Sequence, residues 1–570
     1  MIKRIKIGTG SCGIAAGADE VLNYFQNNCP DIEIVEVGCV GHCYAEPMIE
    51  VETTEGSIFY KHVEANQICL DNILFGGENN RLIFPKVRKE KELTKVSKLA
   101  GRINPVSISE YKNKKGYLAL TKALAKTPDE VIEEIKISGL RGRGGGGFPT
   151  AIKWSLLAKN KSDEKILICN ADEGDPGAFM DRSLMESIPH QVMEGMLIAA
   201  HATESTQIFI YVRAEYPLAI KNLKVAIQQL QNERLHILND REIKITVKEG
   251  AGAFVCGEET AMIHSLEGYR GTPRFRPPYP TDKGFKGYPS LINNVETFAN
   301  VPILIFEGGE EFAKVGTEGS KGTKLFALAG DLKFSGIVEV PMGLTIHEIV
   351  YEIGGAEPGS VKAVQIGGPS GGCIPEKYFD TLIDYDSLTK LGAIMGSGGL
   401  IVIGKNRCMV ETARYFLDFT ARESCGKCTF CRIGSIRLLE TMEKITTGKG
   451  TKADIKFLED LSPKIVNGSL CGLGSTAPNP VLSTLRFFRN EYESHVTNKQ
   501  CEALECNALV NVEINKKNCI ECSACLKVCS INAISEDFVV DNDICTRCNS
   551  CIEVCPVNTI SRTLGGNTNE

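Results

Sequence analysis

Hydrophobic and polar positions recur along this chain in patterns that predict its elements. The first 80 residues read as a βαβ-like unit, opening with a short strand-like run after Met1-Ile2-Lys3-Arg4. Pro128–Lys136 has the periodicity that gathers apolar side chains on one helical face, and the run from Lys165 is a strand ending in acids. Gly336–Tyr351 predicts strands followed by an amphipathic helix. Ile436–Lys444 and Ile455–Leu461 repeat apolar residues at helical spacing, so a small bundle is expected there. No window approaches the roughly 18 uninterrupted apolar residues of a membrane helix. The start also lacks the apolar core of a secretory signal, which predicts a cytoplasmic protein that does not use a membrane.

Length and charge narrow the picture. A chain of 570 residues exceeds what one core supports, and at about 150 residues per domain it should hold roughly three to five. A net charge of -7 is mild and argues against nucleic acid as a partner. The basic run Pro85–Lys91 reads as a solvated linker. Twenty-three cysteines without an export signal imply a reducing compartment, where closely spaced thiols are metal ligands before they are disulfides.

The last stretch carries the strongest chemistry. Cys519, Cys522, Cys525 and Cys529 repeat the spacing of Cys545, Cys548, Cys551 and Cys555, the bacterial ferredoxin run whose fourth Cys ligates the other cluster. The tail should therefore bind two [4Fe-4S] clusters, one on Cys519, Cys522, Cys525 and Cys555, the other on Cys545, Cys548, Cys551 and Cys529. Ser530 stands where the first run would have proline, and two zinc knuckles are the alternative reading. Upstream, Cys425, Cys428 and Cys431 form a third such loop, whose fourth thiol, Cys471, comes forty residues later. The intervening helices should present Cys471 to a third [4Fe-4S] cluster.

Gly139-Leu-Arg-Gly-Arg-Gly-Gly-Gly-Gly-Phe-Pro-Thr150 is dense in residues that let backbone amides approach a phosphate, and it contains GxGxxG at Gly142, Gly144 and Gly147. A dinucleotide fingerprint follows a strand, whereas a helix is predicted before this loop. A flexible surface loop is the alternative. Three further segments favour a binding site: Lys165 to Pro176, Gly250 to Thr260, and Leu291 to Thr297, with polar groups where α/β sheets bind ligands.

Together these segments, over roughly residues 95 to 500, closely resemble the flavoprotein subunit of respiratory complex I and of NAD-linked hydrogenases and formate dehydrogenases. The resemblance implies FMN as the flavin and NAD(H) as the nicotinamide nucleotide, beside the three [4Fe-4S] clusters. It implies flavin-site roles for Arg143, Gly144, Gly145, Gly147 and Lys153, and stacking by Phe148. Asn170, Asp172 and Glu173 would surround the ribityl chain and phosphate. Asp175, Gly257, Glu258 and Glu259 match positions near nicotinamide and flavin; Asn293, Asn294 and Thr297 match the phosphate segment; Tyr279 matches an adenine-stacking aromatic. Leu156 and Arg276 depart from the aromatic and lysine of complex I relatives. No catalytic acid or base is expected, because the protein's task is to orient the nicotinamide against the flavin.

The resemblance also implies a multidomain α/β and α+β fold. Its expected parts are a thioredoxin-like [2Fe-2S]-type domain at 1–85, a Rossmann-like FMN/NADH domain at 95–328 and a ubiquitin-like β-grasp domain at 329–415. A helical [4Fe-4S] domain at 416–500 and a 2[4Fe-4S] ferredoxin-like domain at 501–570 follow. The N-terminal domain has only Cys12, Cys39 and Cys43, with Ile7 where a fourth Cys belongs. Either Cys29 or another ligand completes a [2Fe-2S] cluster, or the domain docks without one. His495, Cys501 and Cys506 mix imidazole with thiols, which suits zinc better than iron-sulfur. Cys408 could supply the fourth ligand from afar; unligated side chains are the alternative. Isolated Cys69, Cys169, Cys256 and Cys373 read as packing. The implied role is a diaphorase subunit of a soluble, electron-bifurcating hydrogenase. Its implied partners are a catalytic hydrogenase subunit, a small thioredoxin-like [2Fe-2S] subunit and ferredoxin. Formate dehydrogenase and complex I are the alternatives, and a non-catalytic electron wire is a reading from another class.

Overall fold

A computed structural model describes residues 2–82 and 90–565, so most of the expected linker Pro85–Lys91 lies outside the described residues. The chain divides into two units, 1–403 and 404–570.

The first unit opens with a four-stranded sheet of β1 (Ile2–Gly8), β2 (Glu33–Val37), β3 (Ile49–Thr53) and β4 (Gly56–Tyr60), in the order β2-β1-β3-β4. β1 and β2 are parallel, joined through the helix Ala18–Asn28, and the other pairs are antiparallel. Alternate residues of β1, Ile5 and Ile7, enter a core with Val21, Phe25 and Ile49.

The central sheet uses β5 (Ile166–Ala171), β6 (Gln207–Arg213), β9 (Lys244–Gly250) and β10 (Ser290–Asn294). A small hairpin of β7 (Ile237–Leu238) and β8 (Arg241–Glu242) precedes β9. The order β10-β5-β6-β9 is parallel throughout. Such strands are covered on both faces, which is why β5 begins as the continuous apolar run Ile166-Leu-Ile-Cys169. The helix Pro189–Thr203 is buried at every position, and each large apolar side chain it hides contributes about 1.5–3 kcal/mol. Strand order reverses between β10 and β5, and it is in the crevice beyond the carboxyl ends at such a point that open α/β sheets bind ligands.

A third sheet follows: β11 (Thr323–Gly330), β12 (Gly336–Pro341), β13 (Val361–Ile366), β14 (Gly372–Pro375) and β15 (Gly399–Gly404), in the order β12-β11-β15-β13-β14. The amphipathic helix expected after β12 is a π-helical turn, Glu348–Ile353, whose Ile349, Val350 and Ile353 face the core.

In the second unit the helices Met409–Arg422, Ser435–Thr446, Lys452–Gly468 and Asn479–Phe487 pack Leu417, Leu438, Met442, Leu458 and Val481 together. The two expected helical stretches lie inside the second and third of these. β16 (Val510–Ile514) then pairs antiparallel with β17 (Ile560–Leu564), and the two ferredoxin-type Cys runs lie between them, with Cys525 and Cys551 on the short helices Ala524–Val528 and Ser550–Glu553 and the other thiols on the loops around them. The architecture is a mixed α/β multidomain fold with a ferredoxin-like C-terminal region. Among the described residues no helix is long and apolar enough to cross a membrane.

Candidate flavin and metal sites

The glycine loop connects two helices. Thr127 and Glu130 form a capping box at the start of Pro128–Ser138, which ends at Gly139 in the left-handed region, and Thr150–Ala158 begins after the loop. The loop therefore does not issue from a strand, and its GxGxxG is not a Rossmann fingerprint. Gly142 N donates to Phe148 O at 2.9 Å and closes it. Gly145 and Gly147 have φ of 124° and 58°, where a side chain would be strained. A Cβ on Gly144 would stand 3.0 Å from that of Asn294, whereas one on Gly146 would meet open space. The loop thus lies over the end of β10 and the start of the helix Val295–Glu307. There Arg143 N donates to Thr297 Oγ1 at 2.8 Å, and Asn294 Oδ1 accepts from Thr297 N at 3.3 Å. These amides are paired within the protein and fix the loop, while its side-chain-free stretch 144–147 permits the close backbone approach that a phosphate needs.

Across the crevice, Asn170 Nδ2 donates to Gly257 O at 2.9 Å and its Oδ1 accepts from Asp172 N at 3.1 Å, tying β5 to the following acidic segment. Glu258 accepts from Thr260 N and Ala261 N at 3.0 and 2.9 Å, capping the helix Glu259–Leu266, and takes Arg276 at 2.9 Å. Lys153 pairs with Glu259. Phe148 and Tyr279 are 48% and 54% exposed, leaving ring faces for stacking, and Leu156, 49% exposed, adds an aliphatic surface. Burial raises Glu173 to about 7 and Asp175 to about 6, although Glu173 accepts from Asp181 N and Arg182 N at 3.2 Å and Asp175 accepts from Ser397 Oγ at 2.9 Å.

Two expected site residues are engaged elsewhere. The Arg143 guanidinium is buried and donates to Lys321 O at 2.6 Å and Arg141 O at 3.3 Å, so its main chain faces the loop. Asn293 accepts from the buried Trp154 Nε1 at 2.9 Å. The buried Thr150 Oγ1 and Arg143 Nε have no protein partner. The glycine cradle, the exposed rings and the orphaned Thr150 hydroxyl fit a flavin mononucleotide. Sequence reasoning missed Asp181, Glu296, Lys324 and Ser397, which lie beneath the same crevice. The one signal they carried was a charge in an apolar setting, as with Lys324 before Leu325-Phe-Ala-Leu328.

In the second unit, Cys425, Cys428 and Cys471 surround Cys431. Burial pushes the Cys431 thiol up to about 11; a hydrogen bond with Ser424 opposes this, and the three neighbouring thiols raise it further. A Cβ on Gly474 would come 2.9 Å from that of Cys431, which shows how closely the Cys471 turn approaches the loop. In the tail, Cys519 and Cys522 act electrostatically on Cys525, while Cys529, Cys545, Cys548 and Cys551 line one small cavity. Cys555 lies in the same apolar cluster as Cys525.

Cys408, His495, Cys501 and Cys506 are all buried, with ligand atoms within 4.8 Å of one another. His495 Nε2 stands 3.4 Å from the thiols of both Cys408 and Cys506, and its Nδ1 is 2.7 Å from Glu491 O. A proton on Nδ1 leaves Nε2 free to bind a metal, the tautomer that ligating histidines adopt. Hydrogen bonds from Cys408 and Cys506 hold the Cys501 thiol down. The set fits tetrahedral zinc.

Near the N-terminus Cys43 hydrogen-bonds with both Cys12 and Cys39, so the three thiols converge. Arg182 Nη2 donates to Cys12 at 3.8 Å. Cys12 is lowered to about 7, first by its hydrogen bond with Cys43. Cys29 sits in the apolar core at the far end of the helix Ala18–Asn28, and Ile7 is fully buried in that core, so neither offers the fourth ligand. Two acids stand beside the trio: Glu46, buried near Cys12 and raised to about 7 by desolvation, and Glu186, which accepts from Ser11 N at 3.0 Å and acts on Cys12. Of the isolated cysteines, Cys169, Cys256 and Cys373 are buried, while Cys69 is half-buried.

The Nuo51 FMN-binding domain family matches residues 135–303, and the NADH-ubiquinone oxidoreductase-F iron-sulfur binding region matches 411–495. A 4Fe-4S binding domain matches 538–561. The chain is 50% identical over 453 residues to the NADP-reducing hydrogenase subunit HndC of Solidesulfovibrio fructosivorans, covering 78% of this chain and 92% of the relative. It is 42% identical to an F-type NADH-quinone oxidoreductase subunit of Rhizobium meliloti, covering 69% of this chain and 95% of that one. A solved NAD+-reducing [NiFe]-hydrogenase chain in the H2-reduced state superposes with a TM-score of 0.65 at 29% identity, covering 87% of this chain and 84% of its own. With a glycine cradle fit for FMN and thiol loops fit for iron-sulfur clusters, the chain belongs to the family of flavin and iron-sulfur oxidoreductase subunits that includes HndC and the F-type subunits of NADH-quinone oxidoreductase.

Proposed function

We propose that this chain is the diaphorase subunit of a soluble, electron-bifurcating hydrogenase, oxidising NADH and passing single electrons to partner subunits. The observation that carries the reading is the glycine loop laid over the β5–β10 switch point, with Asn170, Asp175, Glu258 and Glu259 around one crevice. Bound FMN would take a hydride from the nicotinamide and release electrons one at a time. The protein's part is to bind and orient. The glycine loop and Thr297 would hold the phosphate, Phe148 and Tyr279 would stack on rings, Lys153 would face the flavin, and Asp175, Glu258 and Glu259 would lie near nicotinamide and flavin.

The domain limits proposed are 1–85 thioredoxin-like, 95–328 FMN/NADH, 329–415 β-grasp, 416–500 helical [4Fe-4S] and 501–570 ferredoxin-like. Three [4Fe-4S] clusters would sit on Cys425/428/431/471, Cys519/522/525/555 and Cys545/548/551/529, and zinc on Cys408, His495, Cys501 and Cys506. Cys12, Cys39 and Cys43 would either hold a [2Fe-2S] cluster with a non-cysteine fourth ligand or serve a docking domain. A catalytic hydrogenase subunit, a thioredoxin-like [2Fe-2S] subunit and ferredoxin are the partners proposed, in a cytoplasm that keeps the thiols reduced. The likeness to the NADH-quinone oxidoreductase relative supports a second reading, the same role in a complex I-type assembly.

The test is to purify the native complex anaerobically and assay hydrogen evolution with NADH, with reduced ferredoxin and with both. Hydrogen that requires both donors is the expected result. No hydrogen under any condition would move the assignment to formate dehydrogenase or complex I.

A further inference from the structure

Beneath the crevice lies a charged network that the proposed contacts do not use. Lys324 on β11 and Glu296 on the helix Val295–Glu307 are an ion pair with side-chain exposures of 0% and 1%. Lys324 Nζ also donates to Leu325 O at 3.0 Å and to Ser397 O at 2.5 Å, and Glu296 Oε1 accepts from Leu325 N at 3.0 Å. From Lys324 the chain of contacts runs two ways. One arm passes through Ser397, whose hydroxyl donates to Asp175 at 2.9 Å. The other passes through Glu296, whose amide donates to Asp181 at 3.2 Å, and Asp181 accepts from the side chain of Asn294.

Asp175 and Asn294, both expected at the flavin site, are thus the two ends of one path centred on Lys324, made of hydrogen bonds joined through Ser397 and Glu296 themselves. An ammonium and a carboxylate taken out of water cost several kcal/mol each, so a pair kept here for packing alone would be an expensive choice over two apolar side chains. Burial raises all four carboxyls of the network, Glu173, Asp175, Asp181 and Glu296. Lys324 opposes that rise at Glu173, Asp181 and Glu296; Arg143 acts on Glu296, Arg182 on Glu173, and Arg213 on Asp175. Tyr216 and Cys169, the other titratable groups beside Glu173 and Asp181, are pushed up and stay neutral.

We propose that Lys324 is a positioning residue of the flavin site: paired with Glu296, it orients Asp175 and Asn294 and sets the potential at which the flavin is reduced. The inference rests on the flavin reading above. Reduction adds negative charge to the flavin. Without the ammonium, the site is one charge more negative wherever the acids remain ionised, and reduction becomes harder. Lower pH lets those acids take up protons and compensates. Removing the Glu296 charge instead has the opposite sign.

The experiment is a spectroelectrochemical titration of the FMN in the FMN-loaded full chain, between pH 6 and 9, for K324M, K324R and E296Q. K324M should shift the flavin midpoint to more negative values, increasingly so at higher pH; E296Q should shift it positive; K324R should restore the wild-type value. If K324M does not retain FMN, E296Q and K324R carry the same test. Unchanged midpoints, or shifts of one sign in K324M and E296Q, overturn the proposal. FMN affinity of N294A, measured by fluorescence, separates the two failures: if it is unchanged, the flavin reading itself is wrong, and if it is weakened while the midpoints hold, only the role of Lys324 falls.

Discussion

Around the glycine loop the chemistry is distributed, while in the second unit it is concentrated. The crevice draws on the loop, the ends of β5 and β10, a capping glutamate and a lysine from another sheet, and most of these side chains hold one another in place. The thiol sites instead gather a few ligands around a point, as Cys408, His495, Cys501 and Cys506 do within 4.8 Å. A site of many weak contacts to an organic cofactor should lose function in steps. A coordination site should fail when one ligand goes.

The sharpest break of that contrast is Cys431→Ser. It should remove about four irons per chain while leaving flavin content unchanged, as read by iron, sulfide and flavin analysis of the anaerobic protein. Retention of all the iron would remove Cys431 from the ligand set. His495→Ala should release bound zinc and lower the unfolding temperature of the zinc-loaded protein by about 5–10 °C. Elemental analysis with calorimetry decides it, and a wild-type chain without zinc would reassign the tetrad to packing.

Glu258→Gln and Lys153→Ala should each lower NADH oxidation by artificial acceptors about ten- to hundredfold without abolishing it. Complete loss in both would mean that the crevice fails in the all-or-none way expected only of the thiol sites. The smallest effect concerns Asp175. Its folded-state carboxyl titrates near 6, above an ordinary aspartate, so the folded protein binds the proton more tightly than the unfolded chain. Stability should therefore fall as pH rises from about 4 through 6, by at most about 3 kcal/mol from this group. Asp175→Asn should flatten that part of the profile in chemical denaturation; an unaltered slope would show that Asp175 is not the group responsible.

The same contrast governs what could be read in advance. Cysteine spacing is local chemistry, so the ferredoxin runs and the Cys425–Cys431 loop are visible in the chain itself, and the crevice is visible where its residues cluster at strand ends. Cys408 joins His495 only because the helix Met409–Arg422 packs in the same core, which spacing does not encode. The partnership of Lys324 with Glu296 is hidden for the same reason, since a lone charge in an apolar strand does not name its partner. Arg143 was legible as a residue but not as an orientation: its guanidinium binds carbonyls behind the loop. The turn at Glu348–Ile353 shows that apolar periodicity marks the buried face without fixing the hydrogen-bond pattern.

The central claim, that one chain takes electrons from a nicotinamide through a flavin to its own clusters, is tested most directly by anaerobic titration of the reconstituted full chain with NADH. Visible absorbance would follow the flavin and EPR the clusters. Cluster signals that grow with substoichiometric NADH, and vanish when FMN is left out, are the predicted result. Clusters that stay oxidised while dithionite reduces them readily would contradict it.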